Sequence, residues 1–223
     1  MSSKYLPIIT GLFVACLLIS NTIEAKVFTA FGLTLTAGTI VFPLAYVFGD
    51  VLTEVYGYAA SRKVIWTGFA ALLLMVIVYS IAIYLPPASD WPNQAAFEAI
   101  FGQVPRICAA SLIAYFTGEF VNSFIVAKMK VASAGRQMAK RFAVSTVFGQ
   151  MVDTTVFTLL AFTFVMPWST LPAMIGSMWL LKVLWELIAL PLTLVIVRWL
   201  KRAENLDVYD RDTDFNPFHV SGS

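Results

Sequence analysis

The chain has 223 residues, of which 59% are hydrophobic and 13% are charged, with a formal net charge of +2. Soluble domains carry about 25% charged residues, so this composition, with a mean hydropathy of +0.80, excludes an ordinary soluble domain and predicts a polytopic membrane protein. The charges are confined to a few loops, so we expect no nucleic-acid partner. Cys16 and Cys108 lie in apolar runs and the single histidine, His219, lies near the C-terminus, so we expect no disulfide, metal site or cofactor.

Six apolar stretches are each long enough to cross a bilayer, which needs ~20 helical residues. We therefore predict an all-α membrane protein, with one six-helix transmembrane domain over 1–202 and a polar cytoplasmic tail in water over 203–223. Residues 27–38 favour an extended or hairpin-like connector, and 93–101 favour a short amphipathic helix at the interface. Pro43 and Pro191 fall inside spans, where the missing N–H predicts a kink. The predicted spans are 5–24, 37–57, 63–85, 106–127, 142–166 and 172–198.

The placement of lysine and arginine predicts the orientation of the chain. With the N-terminus inside the cell, twelve of the 15 basic residues fall on the cytoplasmic side. Lys26 and Arg106 fall outside, and Lys182 lies within the sixth span. Cytoplasmic loops carry an excess of Lys and Arg, so we expect both termini in the cytoplasm.

Four of the spans each carry polar residues on a single helical face. Such stripes must turn away from lipid, toward one another or toward a wet cavity. Helical rise places the charged groups between mid-membrane and the cytoplasmic half, with one acid of the second span nearest the edge, which predicts one central site. The stripes are Tyr46, Asp50, Thr53, Glu54 and Gly57; Ser111, Tyr115, Gly118, Glu119 and Asn122; Thr146, Gln150, Asp153 and Thr154; and Lys182 and Glu186.

Five acids face one lysine in these stripes, which hydrocarbon would not tolerate without water, pairing or protonation. Lys182 is therefore expected to pair with one acid, and a structural i,i+4 pair with Glu186 stays open. Glu54 has the alternative of meeting Arg62 at the membrane edge. Serine and asparagine side chains such as Asn122 have the alternative of joining helices without binding a ligand.

A short internal similarity relates the two halves of the chain. The segment "FGDVLTEVY" (48–56) aligns with "FGQMVDTTVF" (148–157), so that Asp50 matches Gln150. Three spans per half give the halves opposite orientations, which predicts a 3+3 inverted-topology repeat with a site near the midplane.

Three classes of function compete for such a polar interior. A small-solute transporter is the first, and a membrane subunit that captures substrate for an ATP-driven uptake complex is the second. An intramembrane enzyme is the third, but the spans contain no histidine and the chain contains no HExxH or GxSxG motif, so we do not expect an enzyme.

Four segments resemble the queuosine precursor transporter family, also called the vitamin uptake transporter family. The resemblance covers about residues 15–200, and the elements "DVLTEVYG" and "GQMVDT" are its most specific parts. The segments are "NTIEAK" (21–26), "FPLAYVFGDVLTEVYGYAASRKVIWTGF" (42–69), "KRFAVSTVFGQMVDTTVF" (140–157) and "LLKVLWELIALPLTLVIV" (180–197).

The resemblance implies a multi-pass protein of the bacterial inner membrane that imports a 7-deazapurine for tRNA modification salvage. The candidates are 7-cyano-7-deazaguanine, its aminomethyl relative and queuine. A guanine-like edge presents two parallel N–H donors, and a carboxylate can accept a hydrogen bond from each. The side-chain amide of Gln or Asn can donate to the ring carbonyl. Two questions stay open: whether the protein forms a homodimer, and whether transport is coupled to protons or is facilitated diffusion. The expected substrate-binding residues are Asp50, Glu54, Gln150, Asp153, Asn122, Glu119, Lys182 and Asn21.

Overall fold

The computed structural model describes residues 3–24, 26–30, 33–102, 104–163, 167–169 and 171–218. Within these ranges helices dominate, as predicted, and one short antiparallel hairpin is added. His219, residues 31–32 of the predicted connector and the predicted end of the fifth span at 164–166 lie outside the described residues. The elements are α1 (Leu6–Ile23), β1 (Val27–Ala30), β2 (Leu33–Thr36), α2 (Phe42–Tyr56), α3 (Tyr58–Tyr84), α4 (Gln94–Phe101), α5 (Val104–Ala132), α6 (Met138–Phe162) and α7 (Leu171–Glu204).

Among the described residues, five helices are long and apolar enough to cross a membrane, namely α1, α3, α5, α6 and α7. The second predicted span, 37–57, is instead a 3-10 turn at Ala37–Ile40 followed by α2, which has 15 residues. At 1.5 Å per residue α2 is ~22 Å long, shorter than a hydrocarbon core of ~30 Å. In the described part of the chain, five helices therefore have spanning length, and α2, at the position of the second predicted span, is shorter.

The two predicted connectors have the expected structures. Strand β1 pairs with β2 in antiparallel register, with Val27 opposite Thr36, as the alternating pattern of 27–38 predicted. Residues 94–101 form the short helix α4, which agrees with the amphipathic pattern predicted for this loop.

Pro43 begins a helix and does not kink one, so the expected kink near 39–43 is wrong. Helix α2 starts at Phe42, and Pro43 lies in its first turn. A missing N–H costs nothing there, because the first N–H groups of a helix have no intrahelical partner. Pro191 does lie inside a helix, α7.

Helix α2 is the central element of the bundle. It packs against α1, α3, α5 and α7, and 11 of its 15 residues are buried. The outer helices expose large apolar side chains, including Leu74 of α3 and Ile188 of α7. This arrangement is the inverse of a soluble domain, because in a bilayer it is the polar stripes that need protein neighbours.

The C-terminal tail docks onto the bundle, although its polar composition predicted a segment in water. Both carboxylate oxygens of the buried Asp210 accept the backbone N–H of Tyr58, at 3.0 and 3.1 Å. Tyr58 is the first residue of α3, so Asp210 caps an N-terminal N–H that would otherwise lack a partner. Gly57, with φ +84°, makes the turn before it, and Val208 packs where a Cβ would stand.

Arg62 of α3 holds the end of the tail. Its Nη1 donates to the carbonyls of Asp214 and Asn216 at 2.8 and 2.7 Å. The alternative in which Arg62 meets Glu54 is therefore wrong, because the guanidinium points to the tail. Polar composition did not reveal this docking, since backbone carbonyls carry the contact and every residue type supplies one.

Replacing Arg62 with Gln should therefore destabilise the protein. Two carbonyls lose a charged donor, and hydrogen bonds to charged groups contribute about 1.5–3 kcal/mol each. Lys63→Gln is the matched control, because Lys63 is adjacent and exposed and the charge change is the same. Thermal unfolding in detergent should show a clear loss for Arg62→Gln and almost none for Lys63→Gln. Equal unfolding temperatures would contradict the role of Arg62.

Candidate functional site

The polar stripes of the spans face inward, as predicted. Seven of the eight expected site residues are buried, and the eighth, Lys182, has a side chain that is only 11% exposed. Apart from Glu54, which was predicted to lie nearest the edge, their depths differ from the prediction of one common level. Along α6, Asp153 and Arg141 are twelve residues apart, which is ~18 Å of helix. The polar groups occupy three levels between these two positions.

The first level surrounds a small space that we name the Lys182 cavity. Its volume is about 30 Å³, enough for one water molecule. It lies where the C-terminal end of α1 and the first turn of α2 meet α5, α6 and α7. The lining residues are Asn21, Glu24, Phe42, Pro43, Ser111, Asp153, Phe157, Met178 and Lys182.

An ion pair between α6 and α7 forms one wall of the Lys182 cavity. The Nζ of Lys182 lies 2.6 Å from Oδ2 of Asp153 and 4.9 Å from the ring centroid of Phe42. Lys182 thus pairs with one acid, as expected, and the alternative pair with Glu186 is wrong. The ammonium is held by a carboxylate and an aromatic face, both of which favour a cation.

The second level, which we name the polar layer, contains Asp50, Glu119, Asn122, Ser123, Thr146, Gln150 and Glu186. Asn122 donates from Nδ2 to Oδ1 of Asp50 at 2.8 Å. This contact joins α2 to α5, so Asn122 both bridges helices and orients the carboxylate. The Oδ1 of Asn122 has no hydrogen-bond partner among the described residues, which leaves an acceptor beside Asp50.

Glu186 is the second carboxyl group of the polar layer. It accepts a hydrogen bond from Thr146 at 2.8 Å and another from Nε2 of Gln150. The Oε1 of Gln150 has no partner among the described residues. Glu119, also fully buried, accepts from Ser123 at 3.2 Å. Neutral donors therefore contact Glu186 and Oε1 of Glu119 in place of cations.

The third level is an ion cluster of Glu54, Lys130, Arg141 and Lys201, which we name the basic cluster. We name the end of the bundle where it lies the basic end. The centre of the cluster is Glu54, whose carboxylate lies 2.7 Å from Nη2 of Arg141 and 2.6 Å from Nζ of Lys201. Lys130 donates to the backbone carbonyl of Glu54 at 2.6 Å. Glu54 therefore ties α2 to α5, α6 and α7, and the structure does not place it with Asp50.

Asp207 completes the basic cluster from the tail side. It lies 2.6 Å from Nζ of Lys130 and 2.9 Å from Nζ of Lys201. Partial burial alone would raise the pKa of Asp207, but the hydrogen bonds from Lys130 and Lys201 outweigh it and hold the pKa below its ordinary value. The carboxylate therefore stays charged and continues the cluster into the docked tail.

Close contact of α5 and α6 connects the Lys182 cavity to the polar layer. A Cβ on Gly118 would stand 2.7 Å from Cβ of Asp153 and 2.9 Å from the carbonyl oxygen of Gly149. A Cβ on Gly149 would stand 3.0 Å from Cβ of Asn122. The two glycines thus place Asp153, the acid of the cavity, close to Asn122, the amide that holds Asp50.

Sequence reasoning missed several residues of these sites. Glu24 and Phe42 line the Lys182 cavity, and neither was expected to be a site residue. Glu24 lies in "NTIEAK", at the end of the first predicted span. Lys130 and Arg141 were counted only as loop charges. The acid at Glu54 could have indicated both residues, because a buried carboxylate needs a cation at the same depth.

A family model described as "Putative vitamin uptake transporter" matches residues 36–196. The chain belongs to this family. The matched range runs from the last residue of β2 to the second half of α7, and it includes the polar layer and most of the Lys182 cavity. With its apolar helices, the chain is therefore a multi-pass membrane protein of a transporter family.

Two curated relatives carry more specific names. The chain is 32% identical over 173 residues to "Probable queuosine precursor transporter" of Bacillus subtilis, covering 77% of this chain and 76% of that one. It is 25% identical over 161 residues to "Queuosine precursor transporter" of Escherichia coli, covering 72% and 68%. No solved structure matches the chain.

Glu54→Gln should destabilise the protein strongly. The change leaves the buried guanidinium of Arg141 and two lysine ammonium groups without their central anion, and breaking a buried ion pair costs about 3–5 kcal/mol. Asp207→Asn is the control within the same cluster, because the side chain of Asp207 is 42% exposed and water can replace its contacts. Thermal unfolding should separate the two variants, and equal losses would contradict the central position of Glu54.

Gly118→Ala should also destabilise the protein, because the new methyl group forces α5 away from α6. Overpacking of this kind costs about 1–3 kcal/mol. Gly176→Ala in α7 is the matched control, since a Cβ there meets nothing within 4 Å and alanine favours a helix. The unfolding temperature should fall for Gly118→Ala and stay level or rise for Gly176→Ala. A stable Gly118→Ala protein would exclude close packing at this point.

Proposed function

We propose that the chain imports a queuosine precursor across the bacterial inner membrane for tRNA modification salvage. The substrate is 7-cyano-7-deazaguanine, its aminomethyl relative or queuine. The family match and the names of the relatives support the transported class. The structural observation that carries the proposal is the Lys182 cavity, where a buried ion pair, an aromatic ring and an amide meet inside a membrane bundle.

The donors and acceptors of this region suit a guanine-like base. A carboxylate accepts the ring N–H and the exocyclic amine together, and Asp50 supplies it. The unpaired acceptors Oδ1 of Asn122 and Oε1 of Gln150 are available for further N–H groups. Phe42 offers a face for stacking. Glu54 lies with the basic cluster, and we propose that it acts there as part of a gate.

Alternating access follows from the size of the cavity. Pockets for small molecules measure about 300–1,000 Å³, whereas the Lys182 cavity measures about 30 Å³. The helices must therefore separate to admit a base. We propose that the basic cluster closes the cytoplasmic end in this conformation, because its ion pairs join four helices.

We also propose the finer topology. Helix α2 together with the 3-10 turn before it serves as the second of six spans, the two halves form a 3+3 inverted repeat, and both termini lie in the cytoplasm. The excess of Lys and Arg at the basic end supports this orientation.

Uptake by the purified protein in proteoliposomes tests the proposal. Labelled 7-cyano-7-deazaguanine should accumulate inside without ATP or any other protein, and Asp50→Asn should reduce the rate about tenfold or more because the donor edge loses its anion. Glu98→Gln is the control, because Glu98 of α4 is exposed and the chemical change is matched. Uptake no faster than in protein-free vesicles, for all three precursors, would contradict the proposal. Uptake only with an added ATPase would favour the substrate-capture subunit.

A further inference from the structure

The charged side chains that line the Lys182 cavity restrict the charge of a ligand that can bind there. Its walls contribute two carboxyl groups, from Glu24 and Asp153, and one ammonium, from Lys182. That ammonium rests 2.6 Å from the Asp153 carboxylate and 4.9 Å from the Phe42 ring centroid. A carboxylate beside an aromatic face is the arrangement that proteins use to bind a primary ammonium or a larger organic cation.

Lys182 itself fills this ammonium position, and a ligand has to move it. The cavity of about 30 Å³ has no room for a bicyclic base, so the helices must separate to admit one. Lysine carries its charge on a flexible four-carbon stem, so its ammonium can leave Asp153 as the helices separate. Withdrawal alone would leave the buried Asp153 carboxylate without a cation, which is costly.

A ligand that brings its own ammonium removes this cost. Its amine can take the place of the Lys182 Nζ on Asp153 and Phe42, so that one cation replaces another and the cavity keeps its charge balance. A ligand of the same ring system with a neutral nitrile offers no such exchange. Its binding would separate Lys182 from Asp153 and leave the carboxylate to weaker neutral donors.

We propose that Lys182 is a placeholder for the protonated amine of the substrate, and that the site prefers an aminomethyl 7-deazapurine over the neutral nitrile of the same ring. This inference rests on the proposed function and narrows its substrate. It differs from a direct role of Lys182, in which the ammonium would donate to the ring carbonyl of either compound and would strengthen the binding of both.

Equilibrium binding to the detergent-purified protein tests the inference. The probes are 7-aminomethyl-7-deazaguanine and 7-cyano-7-deazaguanine at neutral pH, with wild type, Lys182→Met and the exposed control Lys63→Met. Wild type should bind the amine about tenfold or more tightly than the nitrile, since the nitrile leaves the buried Asp153 carboxylate without a cation and the loss of a buried ion pair costs at least that ratio. Lys182→Met should bind the amine as tightly as wild type or tighter, and Lys63→Met should match wild type.

Three results would overturn the placeholder role. Wild type that binds the nitrile as tightly as the amine overturns it and leaves the proposed function standing. A folded Lys182→Met protein that loses affinity for both compounds alike assigns Lys182 a direct contact instead. Wild type that binds neither compound, nor queuine, overturns the inference and the proposed function together. The wild-type comparison decides the matter even where Lys182→Met fails to fold.

Discussion

A charge inside a bilayer has to be met by another charge or by hydrogen bonds from the protein, and this bundle is arranged around that requirement. Glu54 and Asp153 are met by cations, whereas Glu186 and Asp50 are met by neutral donors. Each contact joins residues on different helices, so the polar groups determine which helices are neighbours. The apolar side chains that pack around them face lipid on the outside and supply no such selectivity.

The two ion-paired levels differ in the number of helices that they join, and this difference suits a transporter. At the basic end, Glu54 links α2 to three other helices and the tail adds Asp207. At the Lys182 cavity the pair of Asp153 and Lys182 links α6 to α7. Opening the cavity separates this pair, while opening the basic end breaks several ion pairs at once. A bundle built in this way opens more readily at the cavity, which is where a ligand from outside the cell would enter in the proposed orientation.

The sequence predicted which faces are buried but not which side chains meet. A polar stripe identifies one face of a helix, because a carboxyl group cannot face hydrocarbon, and the burial of Asp50, Glu119 and Gln150 follows from this. The partner depends on how helices are offset along their axes, which periodicity does not contain. Glu54 meets Lys201, 147 residues away. The docking of the tail depends on backbone carbonyls that Arg62 binds and on the carboxylates of Asp207 and Asp210, whose partners the composition of the tail does not indicate.

The central claim is that the Lys182 cavity receives a deazapurine base between Asp153 and Phe42. An experimental structure of the protein with a bound 7-deazaguanine compound tests it most directly. The account predicts a base that lies against the Phe42 ring, with its donor edge on a carboxylate of the cavity or the polar layer and with Lys182 moved from its present position. A base bound at the basic cluster, or on the outer surface of the bundle with the Asp153–Lys182 pair intact, would contradict it.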